Sequence, residues 1–105
     1  MNNFRSYQLA KEFYRAITVQ KWPPHLKYQV LRASSSIVLN LAEGAGLPTK
    51  RQKAKHYNIA MGSLRECQAV IDIAQIKDEK PIKIADQLAA HIYKLCEPIS
   101  LSKVL

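Results

Sequence analysis

The sequence predicts an all-α protein, an antiparallel up-down-up-down bundle of four helices. Apolar residues recur at steps of three and four residues in four successive segments, which places them on one face of each helix. Short breaks that contain proline or glycine separate the segments, and short links favour antiparallel packing of neighbouring helices. The chain has 105 residues, 48% of them apolar, so we expect one domain over residues 1–105.

The first two helices are predicted on either side of Trp22-Pro23-Pro24. They cover about residues 4–20 and 24–43, since the first proline cannot continue a helix and the second suits a first turn. Residues suited to cap or stop these helices are Asn3, Gly44 and Gly46. The expected inward-facing residues are Phe4, Tyr7, Ala10, Phe13, Tyr14 and Ile17 in the first helix and Val30, Leu31, Ser34, Ile37, Val38 and Leu41 in the second.

The third helix is predicted to begin after Thr49, because Thr49 and Gln52 have the spacing of a capping box. Its apolar seam has the steps of a coiled coil and consists of Tyr57, Ala60, Leu64, Cys67, Ile71 and Ala74. The fourth helix is predicted to follow Pro81, and Pro98 is expected to end or kink it. Its inward-facing residues are Ile84, Leu88, Ile92, Leu95 and Ile99.

Several polar and small residues interrupt the apolar faces of the second and third helices. We expect Ser34-Ser35-Ser36 to pack closely against Gly62-Ser63, because small side chains let two helices approach each other. Hydrogen bonds across helices are expected to satisfy Asn40 and Glu66, with Arg32 a candidate partner for a glutamate. The residues assigned to bundle architecture are Asn40, Glu43, Gly44, Gly62, Ser63 and Glu66.

The charge of +8 is distributed unevenly along the chain. Residues 1–65 contain eleven Lys and Arg against Glu12 and Glu43, a balance of +9, whereas residues 66–105 have a balance of −1. Such asymmetry favours polyanionic partners. The densest basic run, Lys50 to His56, lies at the predicted start of the third helix, where unpaired amides favour anions. The competing interpretation is a solvated face that only keeps the protein soluble.

Catalytic, metal and membrane functions find little support in the sequence. No glutamate is followed by histidine three positions later, as di-iron bundles require, so we expect no metal and no cofactor. His91 and Lys94 have phosphorelay spacing, and Glu43 with Glu66 is a carboxylate pair, but neither has the accompanying residues of such a site. Cys67 and Cys96 are interpreted as buried thiols, with a disulfide the less favoured alternative. The chain has no apolar run of membrane-spanning length and no signal peptide, so we expect a cytoplasmic protein.

A set of residues with fixed spacing carries a resemblance to a known family. The set is densest between residues 29 and 73 and includes Gln29, Arg32-Ala33, Ser36-Ile37, Asn40, Ala42-Glu43-Gly44, Thr49, Tyr57, Ile59-Ala60, Gly62-Ser63-Leu64 and Glu66. It resembles the four-helix-bundle proteins encoded by intervening sequences within bacterial 23S ribosomal RNA genes. The resemblance implies a bundle that assembles as a homopentameric ring. A more distant similarity joins it to accessory proteins of diversity-generating retroelements, which bind a reverse transcriptase and its RNA.

Together the charge and the resemblance predict a non-catalytic protein that binds structured RNA, or a ribonucleoprotein, through backbone phosphates. The alternative is a homo-oligomeric interaction scaffold for a protein partner such as a polymerase, with RNA contact incidental. Whether DNA binds equally well stays open. The expected nucleic-acid-binding residues are Lys50, Arg51, Lys53 and Lys55 foremost, with Arg15, Lys27 and Arg32.

Overall fold

The computed structural model describes the backbone of residues 2–104 and the side chains of residues 5–96. Within these residues the structure contains four helices and no strand, which confirms the all-α prediction. The side chains of Asn3, Phe4 and Ile99, predicted to cap or fill the core, lie outside the described residues. The helices are α1 (Asn2–Thr18), α2 (Pro24–Ala45), α3 (Lys50–Ile73) and α4 (Glu79–Val104).

The link between α1 and α2 is fixed by Trp22. Its side chain is buried, and the indole Nε1 donates to the carbonyl of Ile17 at 2.8 Å. Since this carbonyl lies at the open end of α1, the bond satisfies an acceptor that the helix leaves free. Helix α1 ends at Thr18, two residues earlier than predicted, and the Trp22 side chain covers this end of the core.

Helix α2 extends two residues beyond its predicted end, to Ala45. Gly46 follows it as the C-cap, which confirms the predicted glycine stop at this position; its φ of −83° is a right-handed conformation. Gly44 lies inside the last turn, is buried, and faces α3. A Cβ atom at Gly44 would lie 2.7 Å from Cε1 of Tyr57, so the absence of a side chain is what lets the two helices approach here.

The start of α3 is as predicted, but its end was not recognisable from the sequence. Thr49 Oγ1 accepts from the amide of Gln52 at 3.1 Å and the Gln52 side chain accepts from the amide of Thr49 at 3.3 Å, so the capping box is confirmed. At the other end Gln75 has φ 55°, a left-handed conformation that glycine adopts more readily. The amide of Ile76 donates back to the carbonyl of Ile71, which closes the last turn.

Helix α4 begins at Glu79, two residues before Pro81, because Asp78 acts as its cap. The Asp78 carboxylate accepts from the amide of Lys80 at 3.0 Å and from Gln20 Nε2 at 2.9 Å. Both hydrogen bonds favour the ionised form and lower the pKa of this carboxyl group. At the other end α4 extends to Val104, so Pro98 does not end the helix.

The four helices enclose one core. Contacts join α1 with α2, α2 with α3, α3 with α4 and α1 with α4, and among the described residues no diagonal pair is in contact. Tyr7, Tyr14, Leu31, Val38 and Leu95, predicted to face inward, are only half-buried and line the rim of the core. The large side chains that are almost fully enclosed include Leu9, Phe13, Ile17, Ile37, Leu41, Leu64, Leu88 and Ile92. Burial of each contributes about 2 kcal/mol.

Candidate nucleic-acid interface

The first turns of α3 present a group of basic side chains to solvent. Lys50, Arg51 and Lys55 are all exposed, and none of them is paired with an acid among the side chains that the structure describes. Thr49 and Gln52 close the start of the helix beside them. Positive side chains at this end oppose the helix dipole, so an anion bound here would gain from both the cations and the dipole. We call Lys50, Arg51 and Lys55 the basic cluster.

Lys53 lies in the same run but has a different environment. Its ammonium donates to the carbonyl of Ala45 at 2.9 Å and to that of Gly44 at 3.3 Å, and the side chain is partly buried. These carbonyls are at the open end of α2, where a cation is favoured by the helix dipole. Lys53 therefore joins α2 to α3, and we expect its contribution to be to the fold and not to a ligand.

Replacing Lys53 by alanine is expected to lower the free energy of unfolding by about 1–2 kcal/mol. The two lost bonds are charge-assisted, and the carbonyls they satisfied are only partly open to water. Lys55→Ala is the matched control, because Lys55 is exposed on the same helix and its removal should change stability little. Urea denaturation measures both, and equal stability of the two variants would contradict the capping role.

The other three predicted binding residues do not join the basic cluster. Arg32 forms a 3.1 Å ion pair with Glu66. Arg15 lies on α1, where it lines a groove of about 390 Å³ together with Tyr14 and Leu39. Lys27 is in the first turn of α2, 18 residues before the end of that helix, which corresponds to about 27 Å along its axis. The structure thus separates the seven predicted residues into the basic cluster of three, Lys53 at the end of α2, and three dispersed cations.

A row of polar contacts connects α2 and α3 beside the cluster. The pairs are Gln29 and Arg32 with Glu66, Ser36 with Ser63, and Asn40 with His56. From one pair to the next, the residue number on α2 rises while that of its partner on α3 falls, so these two helices run in opposite directions. The cross-helix hydrogen bonds predicted for Asn40 and Glu66 are confirmed, and Arg32, the candidate partner for a glutamate, pairs with Glu66.

Close packing of Ser34-Ser35-Ser36 against Gly62-Ser63 is confirmed only in part. The hydroxyls of Ser36 and Ser63 are 2.9 Å apart, and Ser34 is buried. Gly62, in contrast, is exposed, and a Cβ atom placed on it would meet nothing within 4 Å. The prediction that Gly62 packs against α2 is therefore wrong, and the fold of one chain gives no reason for a glycine there.

Comparison with known families decides what kind of bundle this is. The family model described as "23S rRNA-intervening sequence protein" matches residues 4–100, nearly the whole chain. The chain belongs to this family. The resemblance carried by the residues between 29 and 73 is thereby confirmed. Neither the curated proteins nor the solved structures contain a match to the chain.

The two glutamates that could act as a carboxylate pair lie apart: Glu66 is half-buried and Glu43 is exposed. Glu66 binds Arg32, and Arg32 precedes Glu43 by 11 residues, or about 16 Å along α2. Carboxylates that act together on one bond lie within about 10 Å of each other, so this pair does not form an acid–base site. Among the described residues no group of three His, Cys, Asp or Glu is placed to hold a metal ion. No helix in the described part of the chain is long and apolar enough to cross a membrane.

The two cysteines are free thiols, as predicted; Cys67 is buried, whereas Cys96, also predicted to be buried, is only half-buried. Burial is the main cause that raises the pKa of Cys67 to about 12; the Glu66 carboxylate adds to it and the Arg32 guanidinium opposes it. Burial also raises the pKa of Cys96, which is only half-buried.

Because the thiolate is the reactive form, native protein is expected to react with a disulfide reagent first at Cys96. Cys67 should react only after the protein unfolds. Absorbance of the released thiol, combined with mass spectrometry of the labelled peptides, measures this order. Modification of Cys67 in the native protein at the rate seen for Cys96 would contradict the burial that the structure assigns to it.

Proposed function

We propose that this protein is a cytoplasmic, non-catalytic RNA-binding protein that contacts backbone phosphates of structured RNA, or of a ribonucleoprotein, through the basic cluster. The observation that carries the proposal is the exposure of Lys50, Arg51 and Lys55 at one helix start without acidic partners among the described side chains. The +9 balance of residues 1–65 extends the attraction over a larger surface. Its family membership is compatible with a role near ribosomal RNA.

Recognition is proposed to depend on shape and charge, since few aromatic side chains are placed to stack on bases. Trp22 is buried and its indole is bound within the fold, which leaves Tyr28, 77% exposed, and Tyr93, 63% exposed, as the candidate stacking residues among the described side chains. Fluorescence anisotropy of a labelled structured RNA tests the proposal. Saturable binding at low salt that a polyanion competes away is the expected result, and an unchanged anisotropy up to micromolar protein would refute it.

We also propose that the four helices run up-down-up-down and that five copies form a ring. Five chains of +8 would give about +40 on one particle, a field that strongly attracts polyanions. Support for assembly comes from the outer side of α3, where Gly62, Ala69 and Ile73 are exposed at helical spacing. We call these three residues the outer seam. A large exposed apolar side chain and an open glycine on one helix face are typical of a contact surface.

Sedimentation of Gly62→Gln tests the assembly. The open space at Gly62 accommodates the new side chain within one chain, and glutamine favours a helix more than glycine does, so the fold should be retained. We expect loss of the oligomer, whereas Ala90→Gln, at an exposed position of α4, should assemble like the wild type. A wild-type monomer at micromolar concentration would contradict the ring. An intact Gly62→Gln oligomer would show that the outer seam is not part of the contact between copies.

The outer seam also favours the second candidate function, a scaffold that presents this face to a protein partner such as a polymerase. Affinity purification from a lysate, with and without ribonuclease, separates the two functions. A protein that is retained in stoichiometric amount after ribonuclease treatment, combined with no RNA binding by the purified chain, would favour the scaffold.

A further inference from the structure

The hydrogen bonds around Asn40 fix the orientation of its side-chain amide. Asn40 Nδ2 donates to the backbone carbonyl of Ser36 at 2.9 Å and to Ser36 Oγ at 3.1 Å. A carbonyl oxygen only accepts hydrogen bonds, so the group that faces it must be the NH₂ of the amide. The amide oxygen of Asn40 therefore points away from Ser36 and towards α3.

This orientation determines which nitrogen of His56 carries the proton. Asn40 Oδ1 lies 3.0 Å from Nδ1 of His56, and because that oxygen only accepts, Nδ1 must be the donor. A neutral imidazole has a single N–H group, so the Nε2 of neutral His56 has a lone pair and no hydrogen. The hydrogen bonds of Asn40 on α2 thus select the tautomer of neutral His56 that carries its proton on Nδ1.

Within the described part of the chain, the lone pair of His56 Nε2 accepts no hydrogen bond. Among the residues that the structure describes, none donates to Nε2, and the side chain is half-exposed. His56 follows Lys55 directly and lies in the second turn of α3, next to the basic cluster. The cations of that cluster only donate hydrogen bonds, and the side-chain oxygen of Gln52 is already occupied by Thr49. His56 therefore adds to the cluster an acceptor without a negative charge.

We propose that Nε2 of His56 accepts a hydrogen bond from a ribose 2′-hydroxyl of bound RNA and so distinguishes RNA from DNA. The inference rests on the proposed RNA-binding function. Lysine and arginine at the cluster bind phosphates, which RNA and DNA share, whereas the 2′-hydroxyl is the donor that DNA lacks. A neutral acceptor accommodates that donor without repelling the phosphates on either side of it.

His56→Asn is the informative variant, because an asparagine amide nitrogen takes the place of Nδ1 and keeps a donor for Asn40 while Nε2 is lost. The affinity is measured for an RNA hairpin and for its 2′-O-methyl counterpart, which retains the helical form but has no 2′-hydroxyl donor. Wild-type protein should bind the RNA about 3- to 10-fold more tightly, as expected for one hydrogen bond. This ratio should fall to about one in His56→Asn and stay unchanged in His91→Asn, a control on α4.

The outcomes separate this inference from the function on which it rests. Failure of the wild type to bind RNA would remove the proposed function and the inference together. Binding with no preference over 2′-O-methyl RNA, or a preference that His56→Asn retains, would overturn the role of His56 alone. The tautomer is tested independently of RNA by long-range ¹⁵N–¹H correlation spectra of the wild type under mildly alkaline conditions. A proton on Nε2 in place of Nδ1 would also overturn the inference.

Discussion

Reversal of charge at Lys50, Arg51 and Lys55 to glutamate is expected to weaken binding to structured RNA about 100-fold or more at physiological salt. The change removes three cations that can neutralise phosphates and places three carboxylates at the same helix start. The overall charge falls from +8 to +2, so attraction at a distance declines as well. Lys53 stays in place because its ammonium caps α2, and the fold should therefore persist.

A second charge reversal separates the basic cluster from net charge. Lys77, Lys80 and Lys83 are exposed in the acidic part of the chain, and their change to glutamate lowers the total charge by the same amount. This control variant should lose much less RNA affinity than the cluster variant. Equal loss in both would mean that binding follows total charge, and wild-type affinity in the cluster variant would contradict the assignment of the site. Circular dichroism of both variants checks that the helices are intact.

Gly44→Val is expected to lower the free energy of unfolding by about 3 kcal/mol, the upper range for an overpacked core. The new Cβ atom alone would lie 2.7 Å from Cε1 and 3.1 Å from Cδ1 of Tyr57, and 3.2 Å from Cβ of His56. The ring of Tyr57 is buried and cannot move without displacing its neighbours. In a chain of this size such a loss lowers the melting temperature by at least about 10 °C.

Gly62→Val is the matched control for that loss of stability. It makes the same substitution in the interior of a helix, but nothing lies within 4 Å of the new Cβ atom. Valine favours a helix slightly more than glycine does, so stability should stay equal or rise by less than about 1 kcal/mol. Denaturation of both variants below the concentration at which chains assemble measures the difference. A similar loss at both positions would contradict the close approach of α2 and α3 at Gly44.

The features that the sequence predicts correctly are those set by local chemistry. The capping box of Thr49 and Gln52 depends on two residues three positions apart, and the apolar periods of the helices depend on 3.6-residue spacing. The need of the half-buried Glu66 carboxylate for a donor on another helix could be predicted in the same way, but the choice of Arg32 as that donor could not.

The features that the sequence hides depend on the distance between helices. In the sequence, Gly44 looks like a residue that stops a helix. Only its position against Tyr57 shows that a glycine is required there for the close packing of α2 and α3. Lys53 is indistinguishable from its basic neighbours until the end of α2 is located beside it. The end of α3 was hidden because Gln75 adopts a conformation that usually marks a glycine. The hydrogen bond between Asn40 and His56 joins residues 16 positions apart, so it depends on how α2 and α3 pack and not on local sequence.

The dependence of RNA affinity on salt concentration is the most direct measure of the central claim. Each phosphate that the protein neutralises contributes about −0.7 to −0.9 to the slope of log affinity against log salt. Three cations in the basic cluster therefore predict a slope of about −2 or steeper for the wild type with structured RNA. A slope near zero, or no binding at low salt, would contradict recognition through phosphates and would direct attention to a protein partner at the outer seam.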